Sequence, residues 1–250
     1  MEADAPPRPW QPEGQRFAGA FAARRGEAGD WLDRTAAATG TALGDRARAA
    51  LVDSLVLRLC ACAHTALDAD RRRAGVAPEE LAAELSRARA WTRFLAEYPG
   101  VARLLDVAEA AWRRRTGELL AHVARDAADL GAARPAVDDV AGHGERLQAR
   151  RTTQSLTLAG GARWVHRTKD LAMAAWFIDL CAALNAAGLS LPLHVRTILV
   201  RPGCSWDAFV PAAPCPPAAV GRYFARAGML LRLLERLAAV DFHVQNVLLA

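Results

Sequence analysis

Residues 152–167 read TTQSLTLAGGARWVHR, and their organisation decides how the second half of the chain folds. The first part is β-prone, and a Gly160-Gly161 pair permits the positive φ angles of a tight turn. The stretch therefore predicts a β-hairpin of two strands around that pair. Immediately afterwards, DLAMAAWFIDLCAALNAAG predicts a helix over about residues 170–187. LPLHVRTILVRPGCSWDAFV (191–210) then predicts a strand, with Val195, Thr197 and Leu199 on one side and Ile198 and Val200 on the other. A last helix, PAAVGRYFARAGMLLRLLERLAAV (217–240), delivers the chain to Asp241.

Upstream of the hairpin, AARPAVDDVAGHGERLQARR (132–151) replaces helical periodicity with Pro, Gly and charge, which places a boundary near residue 135. Before it the chain reads as helical. Leu51, Leu55 and Leu59 recur every four residues within a single helix spanning about 44–75, and Gly75 follows its basic last turn. A second helix follows in APEELAAELSRARAWTRFLAEYPG. Pro78 suits its first position, Glu79 and Glu80 suit its positive end, and Leu81, Leu85, Trp91 and Leu95 form a stripe that Pro99 and Gly100 terminate. A third, from Val101 to Gly131, carries Leu104, Leu105, Ala108, Trp112, Leu119, Leu120 and Val123 on its apolar side, with the triplet Arg113–Arg115 on a solvated face. The opening MEADAPPRPWQPEGQ is acidic and Pro-rich without an apolar signal region, and residues 1–44 are expected to be partly disordered. The expected organisation is thus 1–44, a helical region 45–135, and a mixed region 136–250, an α+β chain.

Composition limits the function classes. With 52% hydrophobic residues in 250, the chain can bury a substantial core. The formal charge is +5 and every basic residue except Lys169 is arginine, yet the charges alternate along helices and do not cluster with aromatics. Nucleic acid is therefore not an expected partner. Apolar stretches such as LAMAAWFIDLCAAL are interrupted by Asp179, so no membrane span is expected and a cytoplasmic location is. Five cysteines, an odd number without a secretion signal, argue against structural disulfides. CACAH places Cys60, Cys62 and His64 close in sequence, but on a helix only positions 60 and 64 face together. Buried thiols are expected there, not a zinc site.

Hairpin, basic residue, helix, strand, helix and then Asp241, His243 and Asn246 in D-x-H-x-x-N spacing is the order of parts in a kinase-like small lobe leading to its catalytic loop. Phosphoryl transfer needs an acid to accept or orient the proton of the attacking hydroxyl, and an amide oxygen to help hold Mg²⁺. Taken alone, the triplet is equally a polar helix terminus.

Four stretches carry a closer likeness: RFLAEYPGVARLLDVAEAAWRRRTGELLAHVARDAADL (93–130), GGARWVHRTKDLAM (160–173), LVRPGCSWDAFV (199–210) and CPPAAVGRYFARAGMLLRLLERLAAVDFHVQNVLLA (215–250). In order and spacing, from about residue 45 onward, the chain resembles the N-terminal dehydration domain of class II lanthipeptide synthetases. The resemblance implies an enzyme of lantibiotic biosynthesis that uses ATP and Mg²⁺ to phosphorylate Ser and Thr of a precursor peptide and then eliminates the phosphate. It implies that Asp241, His243 and Asn246 are the catalytic-loop residues, with Asn246 toward Mg²⁺.

Two departures stand out. Where the family carries G-D-x-H before its hairpin, this chain has Gly144, Glu145, Arg146 and Leu147, leaving Glu145 as the acid on the phosphate side. Where the family has Y-K-P-R, it has His166, Arg167, Thr168 and Lys169, so Arg167 takes the phosphate-binding lysine position. Lys169, two residues on, would share Arg167's side of an extended strand and either substitutes for that lysine or is a surface residue.

In the family a metal-binding aspartate, the elimination part and a zinc cyclase domain follow the catalytic loop. The lobe is accordingly expected to be incomplete at Ala250, to be inactive alone without cyclase activity, and to be completed by a second polypeptide. The alternative is a non-catalytic module that binds a peptide or a synthetase.

Overall fold

The computed structural model describes residues 13–143 and 153–240. The chain is α+β, with a helical N-terminal part and a mixed sheet of six strands in the order β1-β2-β3-β4-β6-β5. By compactness it divides into a helical unit, Met1–Gly142 with Leu156–Ala162, and a second unit, His143–Ser155 with Arg163–Ala250. The division falls between Gly142 and His143.

A 3-10 helix, Glu13–Phe21, opens the helical unit and runs into α1 (Ala22–Thr39). Much of the segment expected to be partly disordered is therefore helical. Its Gly- and Ala-rich composition hides the few residues that decide the matter: Phe17, Phe21 and Leu32 are at most 1% exposed. Each such side chain withdrawn from water contributes about 1.5–3 kcal/mol, enough to order a short helix against a neighbour.

That neighbour is α2 (Asp45–Ala74), the single helix its leucine spacing predicts, which packs against the 3-10 helix, α1 and α5. Leu51, Leu55, Leu59 and Leu67 are all buried along it. By length and composition alone α2 could cross a membrane, contrary to the sequence expectation, but half of its most apolar window is buried within the protein.

The predicted second helix is two, α3 (Pro78–Leu85) and α4 (Ala88–Glu97). The break has a local cause. The Ser86 hydroxyl donates to the Ala83 carbonyl at 2.7 Å, and Arg87 leaves the helical region with ψ 128°. Phe94, absent from the predicted stripe, is the buried residue of α4 and joins Trp91 and Tyr98 in an aromatic run with centroids 5.5 and 4.9 Å apart.

Pro99 does not simply end a helix; it opens α5 (Pro99–Asp126) at a position where its missing N–H costs nothing. Trp112 of α5 is buried with its indole N–H donating to the Leu51 carbonyl at 3.0 Å, which ties α5 to α2. Two expectations for α5 fail: Leu104 is 52% exposed, and only Arg114 of the Arg113–Arg115 triplet is exposed. Arg115 is half-buried, and burial, ahead of the neighbouring Arg58 and Arg114 charges, lowers its pKa.

Two strands in this unit were invisible to periodicity. β1 (Ala42–Leu43) pairs in parallel with β2 (Ala136–His143), Ala42 opposite Ala136. β3 (Thr153–Leu158) and β4 (Arg163–Arg167) form the predicted hairpin, and Gly160 and Gly161 adopt φ of 99° and 88°, where a Cβ would be strained.

In the second unit β4 pairs antiparallel with β6 (Cys204–Ala208), which pairs antiparallel with β5 (Ile198–Arg201). The single strand expected over 191–210 is thus a hairpin. Its Pro202-Gly203 turn, with Gly203 at φ 80°, is the signal that was missed. α6 (Ala172–Ala186) and α7 (Val220–Arg236) complete the unit. Trp206 is fully buried at the centre of β6, opposite His166 of β4 and Leu199 of β5, its ring 4.7 Å from the His166 imidazole.

Candidate functional site

Strand alternation in the second unit sorts the side chains of β4 and β6 onto two faces. His166 and Trp206 share one of them. Val165 and Arg167 share the other with Ser205 and Asp207, through the cross-strand pairs Arg167–Ser205 and Val165–Asp207. A charged cluster forms on this second face around Asp207, which is only 6% exposed.

A buried carboxylate needs charged hydrogen-bond donors, and Arg196 supplies them. Its Nε donates to Asp207 Oδ1 at 2.6 Å and its Nη2 to Oδ2 at 3.3 Å. Arg167 reaches the same carboxylate less closely: its Nη2 lies 3.9 Å from Oδ2, beyond hydrogen-bond range, while its Nη1 donates to the Thr153 hydroxyl at 3.4 Å. Two guanidinium groups thus share one carboxylate, for a net charge of +1, and both arginine side chains remain about one-third exposed, 30% and 31%.

Behind the cluster the connection into α6 is fixed. The Ser205 hydroxyl donates to the Lys169 carbonyl at 2.9 Å and accepts the Leu171 N–H at 3.1 Å. The Asp170 carboxylate accepts the Ala172 N–H at 2.7 Å as α6 begins. Cys181 of α6 lies within the electrostatic reach of Arg196; burial pushes its thiol up and the Arg196 charge partly opposes this.

Of the residues singled out in the sequence, Arg167 closes β4 and faces this cluster. Lys169 does not share its strand, because β4 ends at Arg167, the backbone bends through Thr168 and Lys169, and the Lys169 side chain is exposed. Asp241, His243, Asn246 and Glu145 lie outside the described residues. Sequence reading missed Arg196 and Asp207. A signal existed: an aspartate in the middle of the apolar strand CSWDA is disfavoured there unless something pairs with it.

The cysteines behave as the helical reading of CACAH requires. Cys60 is 1% exposed and burial pushes its thiol up to about 11; burial likewise raises half-buried Cys62. At pH 8 iodoacetamide should label Cys60 in the native protein about a hundredfold more slowly than an ordinary thiol, because so little thiolate is present. Peptide mass spectrometry over a time course checks this, and Cys60 labelling as fast as in urea would contradict it.

The helical unit has an open cleft of about 570 Å³ lined in part by Arg24, Glu27, Trp91, Asp106, Glu109 and Arg113. Its arginines are already matched: Arg24 lies 2.9 Å from Glu109 and 3.4 Å from Asp106, and Arg113 2.5 Å from Glu109. Within the cleft the arginines are thus offset by acids, whereas Arg167 and Arg196 together face the single carboxylate of Asp207.

No curated protein matches the chain. A family model described as a domain of unknown function, DUF4135, matches residues 98–250, more than half of the sequence, and the chain belongs to that family.

Proposed function

We propose that the chain is a dehydration-domain protein of lanthipeptide biosynthesis, related to ATP- and Mg²⁺-dependent phosphorylation of Ser and Thr in a precursor peptide and elimination of the phosphate. Its family is known from lanthipeptide synthetases, which supports this reading. The observation that carries it is the arrangement of the second unit. The Gly160-Gly161 hairpin runs into β4, which ends in a phosphate-side cation at Arg167. α6, the β5–β6 hairpin and α7 follow, leading toward Asp241, His243 and Asn246.

The described residues fit a polyanion. Arg167 presents a partly exposed guanidinium in a cluster of net positive charge, and Arg offers planar donors suited to phosphoryl oxygens. Bound ATP would supply the transferable phosphoryl group, and Mg²⁺ would neutralise its charge. Within the chain, Arg167 would hold a phosphate oxygen while its contact to the Thr153 hydroxyl directs its side chain. By the resemblance, Asp241 would orient the attacking hydroxyl, with His243 beside it, Asn246 would face the metal, and Glu145 would stand on the phosphate side.

A second reading is favoured by one specific observation. Arg167 stands where the family has lysine, and it is partly compensated by Asp207, an arrangement that also suits a lobe binding a precursor peptide or a synthetase without catalysis. Photo-crosslinking with an azido-adenine analogue of ATP separates the two. The first reading predicts ATP-competable label on peptides between residues 153 and 216, from β3 through the segment after β6. Label confined to residues before 143, or none that ATP displaces, would leave only the binding module.

A further inference from the structure

We propose that Arg196 is a positioning residue: by holding Asp207 it keeps that carboxylate off Arg167, and the balance between the two arginines sets the affinity of this face for a polyanion. The identification of the polyanion as a nucleotide's phosphates rests on the phosphotransfer reading; the charge balance does not.

The geometry is asymmetric in a way that gives the two arginines different roles. Asp207 is buried, and both its oxygens accept from Arg196, at 2.6 and 3.3 Å, in a forked contact. Arg167 stands 3.9 Å from the same group and is held otherwise through a long 3.4 Å contact to Thr153. A carboxylate that is already satisfied does not pull a second guanidinium into contact, so Arg167 keeps donors oriented toward solvent. The other groups at the cluster leave this balance alone. The Ser205 hydroxyl is committed to the Lys169 carbonyl and the Leu171 N–H, and burial raises the pKa of the Cys181 thiol.

Among the described residues, removing Arg196 would leave the buried carboxylate with Arg167 as its one ion-pair partner. Arg167 would then close onto Asp207 and be lost to the anion. Removing the charge of Asp207 would do the opposite, freeing both guanidinium groups. A purely structural ion pair would not produce this opposition, since breaking it from either side would disorder the same strands and weaken binding alike.

The test is calorimetric titration of the full 250-residue chain with inorganic pyrophosphate at low ionic strength without magnesium, alongside ATP, with thermal melts of each variant. Arg196→Gln should weaken pyrophosphate binding about tenfold, Asp207→Asn should tighten it about threefold, and the double variant should bind more tightly than Arg196→Gln alone. Arg196→Lys, which keeps the charge and loses the fork, should fall between wild type and Arg196→Gln. The proposal is overturned if Asp207→Asn weakens binding as Arg196→Gln does, if neither variant changes it, or if pyrophosphate does not bind. Should the pyrophosphate pattern appear while ATP binds no better than pyrophosphate, the charge balance stands and the nucleotide reading falls. Should ATP bind tightly and equally to all variants, the reverse holds.

Discussion

Trp206→Ala should cost about 3–5 kcal/mol and abolish stable folding of the second unit, the largest stability effect expected anywhere in β4–β6. Trp206 is fully buried in the middle strand of the β4-β6-β5 set, so its indole contacts the strands on both sides, with His166 4.7 Å away across one pair and Leu199 opposite it in the other. Few other large side chains in this unit are as buried: Ile178 and Leu234 are 7% and 8% exposed, and Met173, Phe224 and Leu231 face solvent at 77%, 66% and 68%. With little surrounding core to collapse into the vacated space, most of the lost contact energy would go unrecovered. Hydrogen exchange followed by mass spectrometry should show protection lost across residues 163–208. A change below about 1 kcal/mol in urea titration would mean that the strands are held by something other than this side chain.

The parts of the fold that the sequence made legible are those whose local and tertiary requirements coincide. α2 declares itself because Leu51, Leu55 and Leu59 repeat at the helical period and are the residues that pack. The β3–β4 turn does so because Gly160 and Gly161 must adopt positive φ, which few other residues tolerate.

Where long-range contacts decide, the reading fails. β1 is two residues long and exists because the Ala42 N–H donates to the Pro135 carbonyl and the Gly44 N–H to the Val137 carbonyl, partners more than ninety residues away. The break between α3 and α4 has neither proline nor glycine to announce it; a serine hydroxyl turned back on its own helix suffices. At the candidate site, the phosphate-side cation was legible at Arg167 because a basic residue closing the hairpin's second strand is a local feature. Its relation to Asp207 and Arg196 was not, since β4, β6 and the segment leading into β5 must be assembled before those side chains meet. Lys169 shows the converse error. Counting by twos assumed the strand continued, whereas β4 ends before it.

The nucleotide-binding claim turns on Arg167. Arg167→Gln should weaken ATP-Mg²⁺ binding at least about tenfold, or about 1.4 kcal/mol, because it deletes a charge-assisted donor pair to phosphate while keeping a side chain that can still meet Thr153. Lys169→Met should change affinity less than about twofold, because its exposed ammonium lies beyond the strand and is screened by solvent. Isothermal titration of ATP-Mg²⁺ into the wild-type chain and these two variants is the most direct measurement of the account. Saturable heat in wild type and Lys169→Met, reduced at least tenfold in affinity by Arg167→Gln, is the predicted result. No binding by the wild-type chain, or binding abolished by Lys169→Met and untouched by Arg167→Gln, would contradict it.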